Sequence, residues 1–158
     1  MAVRFDQEIV DMLQDKKTVK VLATTSENGA PHVVIKQTLH LGDDGNLVYL
    51  ELLESSLTNK NLVRSIWFDR RISIALRGEN GHSYQIIGRP VKAVISGPVF
   101  QRHYVSVRES LGEDVDLATV WIIEPEEVRN QTPAVRRRQE GDAHPLFIHL
   151  DRLAKKAV

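Results

Sequence analysis

The chain has 158 residues, of which 42% are hydrophobic and 27% are charged, and this composition is typical of a globular domain with one core. Its 21 Lys and Arg residues balance its 21 Asp and Glu residues, and a neutral chain is a poor general binder of nucleic acid or acidic membranes. Cysteine is absent, which excludes disulfides, thiolate zinc sites, iron–sulfur clusters and cysteine nucleophiles.

The N-terminal segment gives no targeting signal. Residues 1–6 contain one basic residue, Arg4, and no long apolar run follows it, so we expect no signal peptide. No stretch approaches the roughly 20 apolar residues of a membrane span. We therefore expect a cytoplasmic protein without membrane or nucleic-acid partners.

The first third of the chain predicts one helix and then strands. Apolar residues at helical spacing predict a short amphipathic helix over residues 6–16. The period then changes to two, which predicts strands over residues 18–25, 31–41 and 47–52. An Asn-Gly pair within residues 26–29 predicts a hairpin turn between the first two strands.

A second helix is predicted over residues 55–67, with Leu57, Leu62 and Ile66 facing the core. A fourth strand is predicted over residues 71–77. It is followed by a Gly-containing hairpin turn at residues 78–81.

A long fifth strand is predicted over residues 82–95. Gly88 and Pro90 weaken a strand ladder, so we expect a bulge or bend there. A third helix is predicted to begin at residues 96–98 and to stop at Gly112. Its apolar stripe is expected to comprise Phe100, His103, Tyr104, Val107 and Leu111.

The last part of the chain predicts a sixth strand over residues 117–124 and a short turn over residues 125–128. Residues 129–158 are then expected to form a polar tail, with a short terminal helix within residues 146–153. Because hairpins come first, parallel βαβ alternation does not fit. The pattern favours an antiparallel barrel with helices at its ends, in one domain over residues 1–158 with its core over about 10–128.

The common catalytic motifs are absent from the sequence. The histidines form no His-x-His or His-Glu-x-x-His pair, and no Gly-x-Ser-x-Gly, Walker or Gly-x-Gly-x-x-Gly motif occurs. We therefore identify no catalytic residue and no metal site. The basic run Arg136-Arg137-Arg138 is interpreted as a solvated tail rather than an anion site.

One constellation indicates a phosphate site. The second strand ends in the polar residues Lys36-Gln37-Thr38, and hydroxyl residues open the helix at Ser55 and Ser56. Hydroxyls and free N–H groups at a helix start bind a phosphate dianion, and a lysine would balance its charge. The alternative is that these hydroxyls are ordinary helix caps.

The order of several segments carries a family resemblance. They are Val21–Val34 (VLATTSENGAPHVV), Leu47–Leu50 (LVYL), Thr58–Leu62 (TNKNL), Arg71–Leu76 (RISIAL) and Ile87–Val91 (IGRPV). From about residue 10 to residue 128, the chain resembles the pyridoxamine 5'-phosphate oxidase-like FMN-binding split barrels. The resemblance implies a mainly β fold with α, a six-stranded antiparallel Greek-key split barrel with flanking helices, and FMN at a homodimer interface.

The resemblance also implies a set of cofactor-binding residues. Lys36 would contact the phosphate, Gln37 and Thr38 the flavin, and the remaining residues the ring or the phosphate, with Ser83 and Tyr84 contributed in many members by the partner subunit. The full set is Val34, Lys36, Gln37, Thr38, Glu51, Leu52, Ser55, Ser56, Thr58, Asn59, Lys60, Ser83 and Tyr84.

Two departures from the pattern of the true oxidases make the chain more similar to the small FMN-binding members of the family. Leu57-Thr58 stand where the true oxidases have an Arg-Lys pair, and residues 142–158 lack the Trp and Arg-x-His pattern that binds the pyridoxal substrate. We therefore expect no vitamin B6 oxidation. With a single phosphate cluster and no dinucleotide loop, FMN is expected rather than FAD.

Four functions stay open at this stage. The first is an FMN-dependent oxidoreductase with a nicotinamide cofactor or another small molecule as its reaction partner. The others are a non-enzymatic FMN-binding or electron-transfer protein, a haem- or deazaflavin-binding relative on the same fold, and a plain interaction domain. The homodimer is expected to cover large aromatic residues, namely Trp67, Phe68, Phe100, Trp121 and Phe147.

Overall fold

A computed structural model describes residues 3–145. The helices are α1 (Gln7–Gln14), α2 (Leu57–Trp67), α3 (Pro98–Leu111) and α4 (Pro133–Ala143). The strands are β1 (Val19–Thr25), β2 (Pro31–Ile35), β3 (His40–Leu41), β4 (Leu47–Glu51), β5 (Ile72–Arg77), β6 (Ser83–Val94) and β7 (Thr119–Asn130). No helix among these residues is long and apolar enough to cross a membrane.

The seven strands form one antiparallel sheet in the order β2-β1-β5-β6-β7-β4-β3. Its two edge strands, β2 and β3, are consecutive in the chain and are joined by residues 36–39. Five chain steps reach at most about 18 Å, whereas the edges of a flat seven-stranded sheet lie about 29 Å apart. The sheet must therefore curl until its edges approach each other.

Residues 36–39, which we call the bridge, are held to both edges of the curled sheet. The Lys36 N–H donates to the Lys20 carbonyl at 2.8 Å, and the Thr38 hydroxyl donates to the Leu50 carbonyl at 2.7 Å. The Gln37 side chain accepts from Lys20 N at 2.9 Å and donates to the Thr18 carbonyl at 3.0 Å. The predicted strand over residues 31–41 is wrong at residues 36–39, where the bridge interrupts it. The interruption divides the predicted strand into β2 and β3, so the sheet has seven strands and not the expected six.

The end of the chain also differs from the prediction. The predicted turn at residues 125–128 is wrong, because β7 stays paired with β6 as far as Asn130. Beyond β7 lies α4, which replaces the first part of the expected polar tail and carries Arg136, Arg137 and Arg138 on an exposed surface. The predicted terminal helix at residues 146–153 lies outside the described residues.

The bend expected in the long β6 strand is confirmed. Its register with β7 shifts between Ile87 and Gly88 and again between Pro90 and Lys92. A Cβ atom at residue 88 would lie 2.7 Å from the Glu124 carbonyl oxygen, closer than real Cβ contacts come. Glycine is therefore required here, because the neighbouring backbone approaches too closely for a side chain.

The interior of the curled sheet is the main hydrophobic core, closed at one end by Ile9, Met12 and Leu13 of α1. A second, smaller cluster lies on the outer side of β4 and β7, where Val107 of α3 packs against Val48. The apolar stripe predicted for α3 is covered by the rest of the protein only as far as Val107. Leu111 is exposed because the last turn of α3 leads into a loop.

The buried face of α2 is not the predicted one. Leu62 is buried, but Leu57 and Ile66 are exposed, and the face packed on the sheet includes Asn61 and Ser65. The Asn61 amide donates to the hydroxyls of Thr24 and Ser26 at the end of β1. Hydrogen bonds to strand ends therefore orient the helix, and the apolar spacing alone gave the wrong face.

The bridge makes Gln37 a stabilising residue. Gln37→Ala removes an acceptor from Lys20 N and a donor from the Thr18 carbonyl, so we expect the free energy of unfolding to fall by about 1–3 kcal/mol. Urea denaturation monitored by circular dichroism measures this change, with Gln101→Ala on the exposed face of α3 as the control. Equal stability of the two variants would contradict a structural role for the bridge.

A carboxylate fastens α1 to β6 and makes its contribution pH-dependent. His82 Nδ1 and the Tyr84 hydroxyl both bind Glu8, and these two hydrogen bonds, His82 first, lower the pKa of the Glu8 carboxyl. A carboxyl with a lowered folded pKa stabilises the fold above its unfolded pKa of about 4.3 and loses that contribution as the pH falls through the folded value.

We expect Glu8→Gln to destabilise the protein at neutral pH by less than about 1 kcal/mol, because solvent screens a partly exposed pair. The difference from wild type should shrink at acidic pH. Urea midpoints measured near pH 7 and near pH 3.5 check this, with Glu109→Gln on α3 as the control. A difference that stays constant with pH would show that charge is not involved.

Candidate functional site

A cavity of about 450 Å³ lies where the bridge meets the end of β4. Its walls come from the end of β2, the bridge, β4 with the residues that follow it, and the loop between α3 and β7. The lining residues are Ile35, Lys36, Gln37, Thr38, Tyr49, Leu50, Glu51, Leu52, Leu53, Asp114, Val115 and Asp116. This volume lies within the range of small-molecule sites.

Glu51 is the most unusual residue of the cavity, because its carboxylate is only 1% exposed. One oxygen accepts from the Leu53 N–H at 3.0 Å, and the other accepts from the hydroxyls of Tyr49 and Ser56, both at 2.7 Å. A buried carboxylate is tolerated when hydrogen bonds satisfy it in this way. Burial, together with the bond to Glu51, raises the pKa of Tyr49, so its phenol remains a donor.

Lys36 supplies a positive charge to the cavity. Its Nζ lies 4.0 Å from Glu51 Oε1 and 5.6 Å from the centre of the Tyr49 ring. Among residues 3–145, no acceptor lies within hydrogen-bonding distance of this ammonium. Its N–H donors are therefore available to a ligand in the cavity.

The rim formed by Asp114, Val115 and Asp116 was missed by the sequence analysis. Arg108 of α3 holds this loop by donating to the Glu113 carbonyl at 2.6 Å, and the hydroxyl of Tyr104, also on α3, donates to Asp116 at 3.4 Å. The sequence signal was the acidic run after Gly112, which shows no periodicity and no motif. Only the fold brings this loop beside β4.

The structure brings together five of the residues expected to bind the cofactor. Lys36, Gln37, Thr38, Glu51 and Leu52 all line the cavity. The polar side-chain atoms of Gln37 and Thr38 are engaged with the backbone of the sheet. These two residues therefore shape the cavity wall through hydrogen bonds inside the protein.

The residues expected around the phosphate are dispersed at the start of α2. Ser56 caps the helix by accepting from Asn59 N, and the Asn59 side chain accepts from Trp121 Nε1 at 2.9 Å. Thr58 is buried against His32. Ser55 and Lys60 are exposed, and neither lines the cavity.

Three further expected residues also lie outside the cavity. Val34 is half-buried in β2, opposite Leu22 of β1. Ser83 lies at the start of β6, where its backbone bonds to Thr132. Tyr84 is buried in the main core, where its hydroxyl donates to Glu8 at 2.8 Å. Within one chain these three residues do not reach the cavity.

The cavity fits the ring of the FMN that the resemblance implies better than it fits the phosphate. Apolar residues and backbone edges line it, as a flat heteroaromatic ring requires. The phosphate would lie beside the Glu51 carboxylate, to which Ser56 already donates. Like charges repel, so the Glu51 carboxylate disfavours a phosphate dianion there, and Lys36 is the one lysine of the lining that opposes this repulsion.

Metal chemistry has no evident site in the described part of the chain. No group of three or more His, Asp or Glu side chains there could hold an ion. The rings of His40 and His103 lie near each other, with their centres 5.9 Å apart. Burial, together with the neighbouring His40 and Arg102, lowers the pKa of His103.

Comparison with known proteins supports the fold. Neither a family model nor a curated protein sequence matches the chain. HupZ of Group A Streptococcus matches with a TM-score of 0.68 and 21% identity, over 82% of this chain and 96% of that one.

Two further structures match over similar lengths. A putative pyridoxamine 5'-phosphate oxidase of Lactobacillus delbrueckii gives a TM-score of 0.61 at 16% identity, over 80% of this chain and 93% of that one. An FMN-binding protein of Syntrophomonas wolfei gives 0.62 at 12% identity, over 80% and 88%. The resemblance indicated by the sequence is thus confirmed at the level of the fold.

Proposed function

We propose that this chain binds a flavin, FMN being the expected form, in the cavity beside the bridge and that it serves as a cytoplasmic oxidoreductase. The observation that carries the proposal is the convergence of Lys36, Glu51 and Leu52 on one cavity of about 450 Å³. Lys36 belongs to the bridge, whereas Glu51 ends β4 and Leu52 follows it, and the resemblance implies a cofactor-binding role for all three. The shared fold with an FMN-binding protein supports the same conclusion.

The chain's own residues would bind and orient the ring. Leu52 and Val115 offer apolar contact, while backbone groups of the bridge and of β4 offer hydrogen bonds to the polar edge. The Lys36 ammonium would donate to a carbonyl oxygen of that edge. A bound flavin supplies hydride and electron transfer, and the protein supplies position and electrostatics.

We further propose that two copies enclose the flavin. Ile35 and Leu53 line the cavity, yet they are 64% and 66% exposed, so part of the cavity mouth is apolar. On α2 and just after it, Trp67 and Phe68 are 79% and 59% exposed. Large exposed apolar residues indicate partner surfaces, and a second copy seated on the mouth would exclude water from the ring.

Not all of the aromatic residues expected at this interface are exposed. Trp121 is only 1% exposed and lies in the core, because its indole N–H is bonded to Asn59. Phe100 is half-buried against Tyr104. Phe147 lies outside the described residues. The proposed interface therefore rests on the α2 aromatics and the cavity mouth.

Flavin binding is tested by titration. We expect the protein to bind FMN, and we expect Lys36→Met to weaken binding about tenfold, the effect of losing one charge-assisted hydrogen bond of about 1–2 kcal/mol. Flavin fluorescence or calorimetry measures this, with Lys92→Met on the exposed part of β6 as the control. The proposal fails if wild type does not bind flavin. Bleaching of the bound flavin by a nicotinamide cofactor would support an oxidoreductase over a carrier.

The dimer is tested at the cavity mouth. We expect wild type to sediment as a dimer, and we expect Leu53→Lys to shift it toward monomer and weaken flavin binding, since it puts a charge into an apolar contact. Sedimentation velocity with and without FMN measures both, and cofactor should favour the dimer by mass action. Val105→Lys is the control, because Val105 is 46% exposed but lies on α3 away from the cavity. A monomer that retains tight flavin binding would contradict the shared site.

A further inference from the structure

The residue that caps α2 already donates to an anion, and that anion is the carboxylate of Glu51. Ser56, the residue that caps the helix, accepts from Asn59 N and donates its hydroxyl to Glu51 at 2.7 Å. The backbone N–H of Leu53, just before the helix, donates to the same carboxylate at 3.0 Å. Hydroxyls and N–H groups before a helix are the donors that a ligand phosphate would use.

These donors cannot serve a ligand while Glu51 holds them. With Tyr49 as a third donor, each carboxylate oxygen has at least one hydrogen bond within 3.0 Å. Because Glu51 is almost fully buried, its charge is poorly screened by water. Asp114 and Asp116 on the rim add carboxylates to the same cavity, against the single lysine of its lining.

We infer that Glu51 determines the specificity of this cavity: its carboxylate takes the anion position beside α2, so that the site selects a flavin by its ring and accepts phosphate-free riboflavin as readily as FMN. The inference rests on the proposed flavin binding and refines its ligand class. The flavin ring is uncharged, so it does not oppose Glu51.

The test compares the dissociation constants of riboflavin and FMN by flavin fluorescence. For wild type we expect a ratio within about threefold of one. Glu51→Gln keeps the shape but removes the charge, and we expect it to shift the ratio at least about tenfold in favour of FMN, the change produced by 1.4 kcal/mol. Glu54→Gln is the matched control, because it removes the same charge from an exposed position three residues away.

A second variant keeps the inference falsifiable if Glu51→Gln does not fold. Ser56→Ala should leave the riboflavin-to-FMN ratio of wild type unchanged, because the Ser56 hydroxyl serves Glu51 and not the ligand. A selective loss of FMN affinity in Ser56→Ala would place the phosphate at α2 and overturn the inference. FMN binding at least tenfold tighter than riboflavin in wild type would overturn it as well.

Failure of the proposed function gives a different pattern. If neither flavin binds to wild type or to Glu51→Gln, flavin binding itself is wrong and the inference falls with it. Titration with inorganic phosphate addresses the anion position without any flavin. We expect Glu51→Gln to bind phosphate more tightly than wild type does. Equal phosphate affinity in the two proteins would overturn the assignment of Glu51 to the anion position.

Discussion

The bridge between β2 and β3 is the constraint on which the rest of the molecule depends. It spans the two edges of the sheet with four residues, 36–39, and a flat sheet would place those edges too far apart for so short a connection. Curling follows from this short connection, and the enclosed core follows from curling. The Thr38 hydroxyl donates to the Leu50 carbonyl and so holds the bridge against β4. The cavity therefore lies beside both the bridge and Glu51.

Glu51 belongs to the same logic. As the last residue of β4, it lies where the strand leaves the sheet and where N–H groups lose their ladder partners. Its carboxylate accepts hydrogen bonds from the Leu53 N–H and from the hydroxyl that caps α2. Glu51 thereby joins the end of a strand to the beginning of a helix. A group that fixes the local fold in this way also sets the charge of the cavity.

The sequence predicted the parts of the molecule that are governed by local rules. The α1 helix follows from apolar periodicity and the hairpin turns follow from glycines at positive φ, while the bend in β6 follows from Gly88 and Pro90, which weaken a strand ladder. The break at residues 36–39 was not predicted, because the side chains of Gln37 and Thr38 create it by bonding to the backbone of distant strands. The face of α2 was mispredicted for the same reason, since Asn61 bonds to β1.

The candidate site shows the same division. The lining residues Lys36, Gln37 and Thr38 were predicted, because the polar end of a strand leaves a signature in a sequence, and Glu51 and Leu52 followed from the family resemblance. The hydrogen bond from Ser56 to Glu51 could not be predicted. A serine that caps a helix and a serine that binds a phosphate stand at the same position, so the sequence does not distinguish them. The loop at residues 114–116 was invisible because only tertiary contact brings it to the cavity.

The double role of the bridge limits how this site can evolve. Substitutions at Gln37 or Thr38 that change which ligand the cavity accepts also remove hydrogen bonds that close the sheet. Selection for folding therefore constrains these two positions. The rim at residues 114–116 carries no strand pairing and is anchored from outside by Arg108. New ligand preferences can therefore arise most readily by variation of this loop, while the bridge stays fixed.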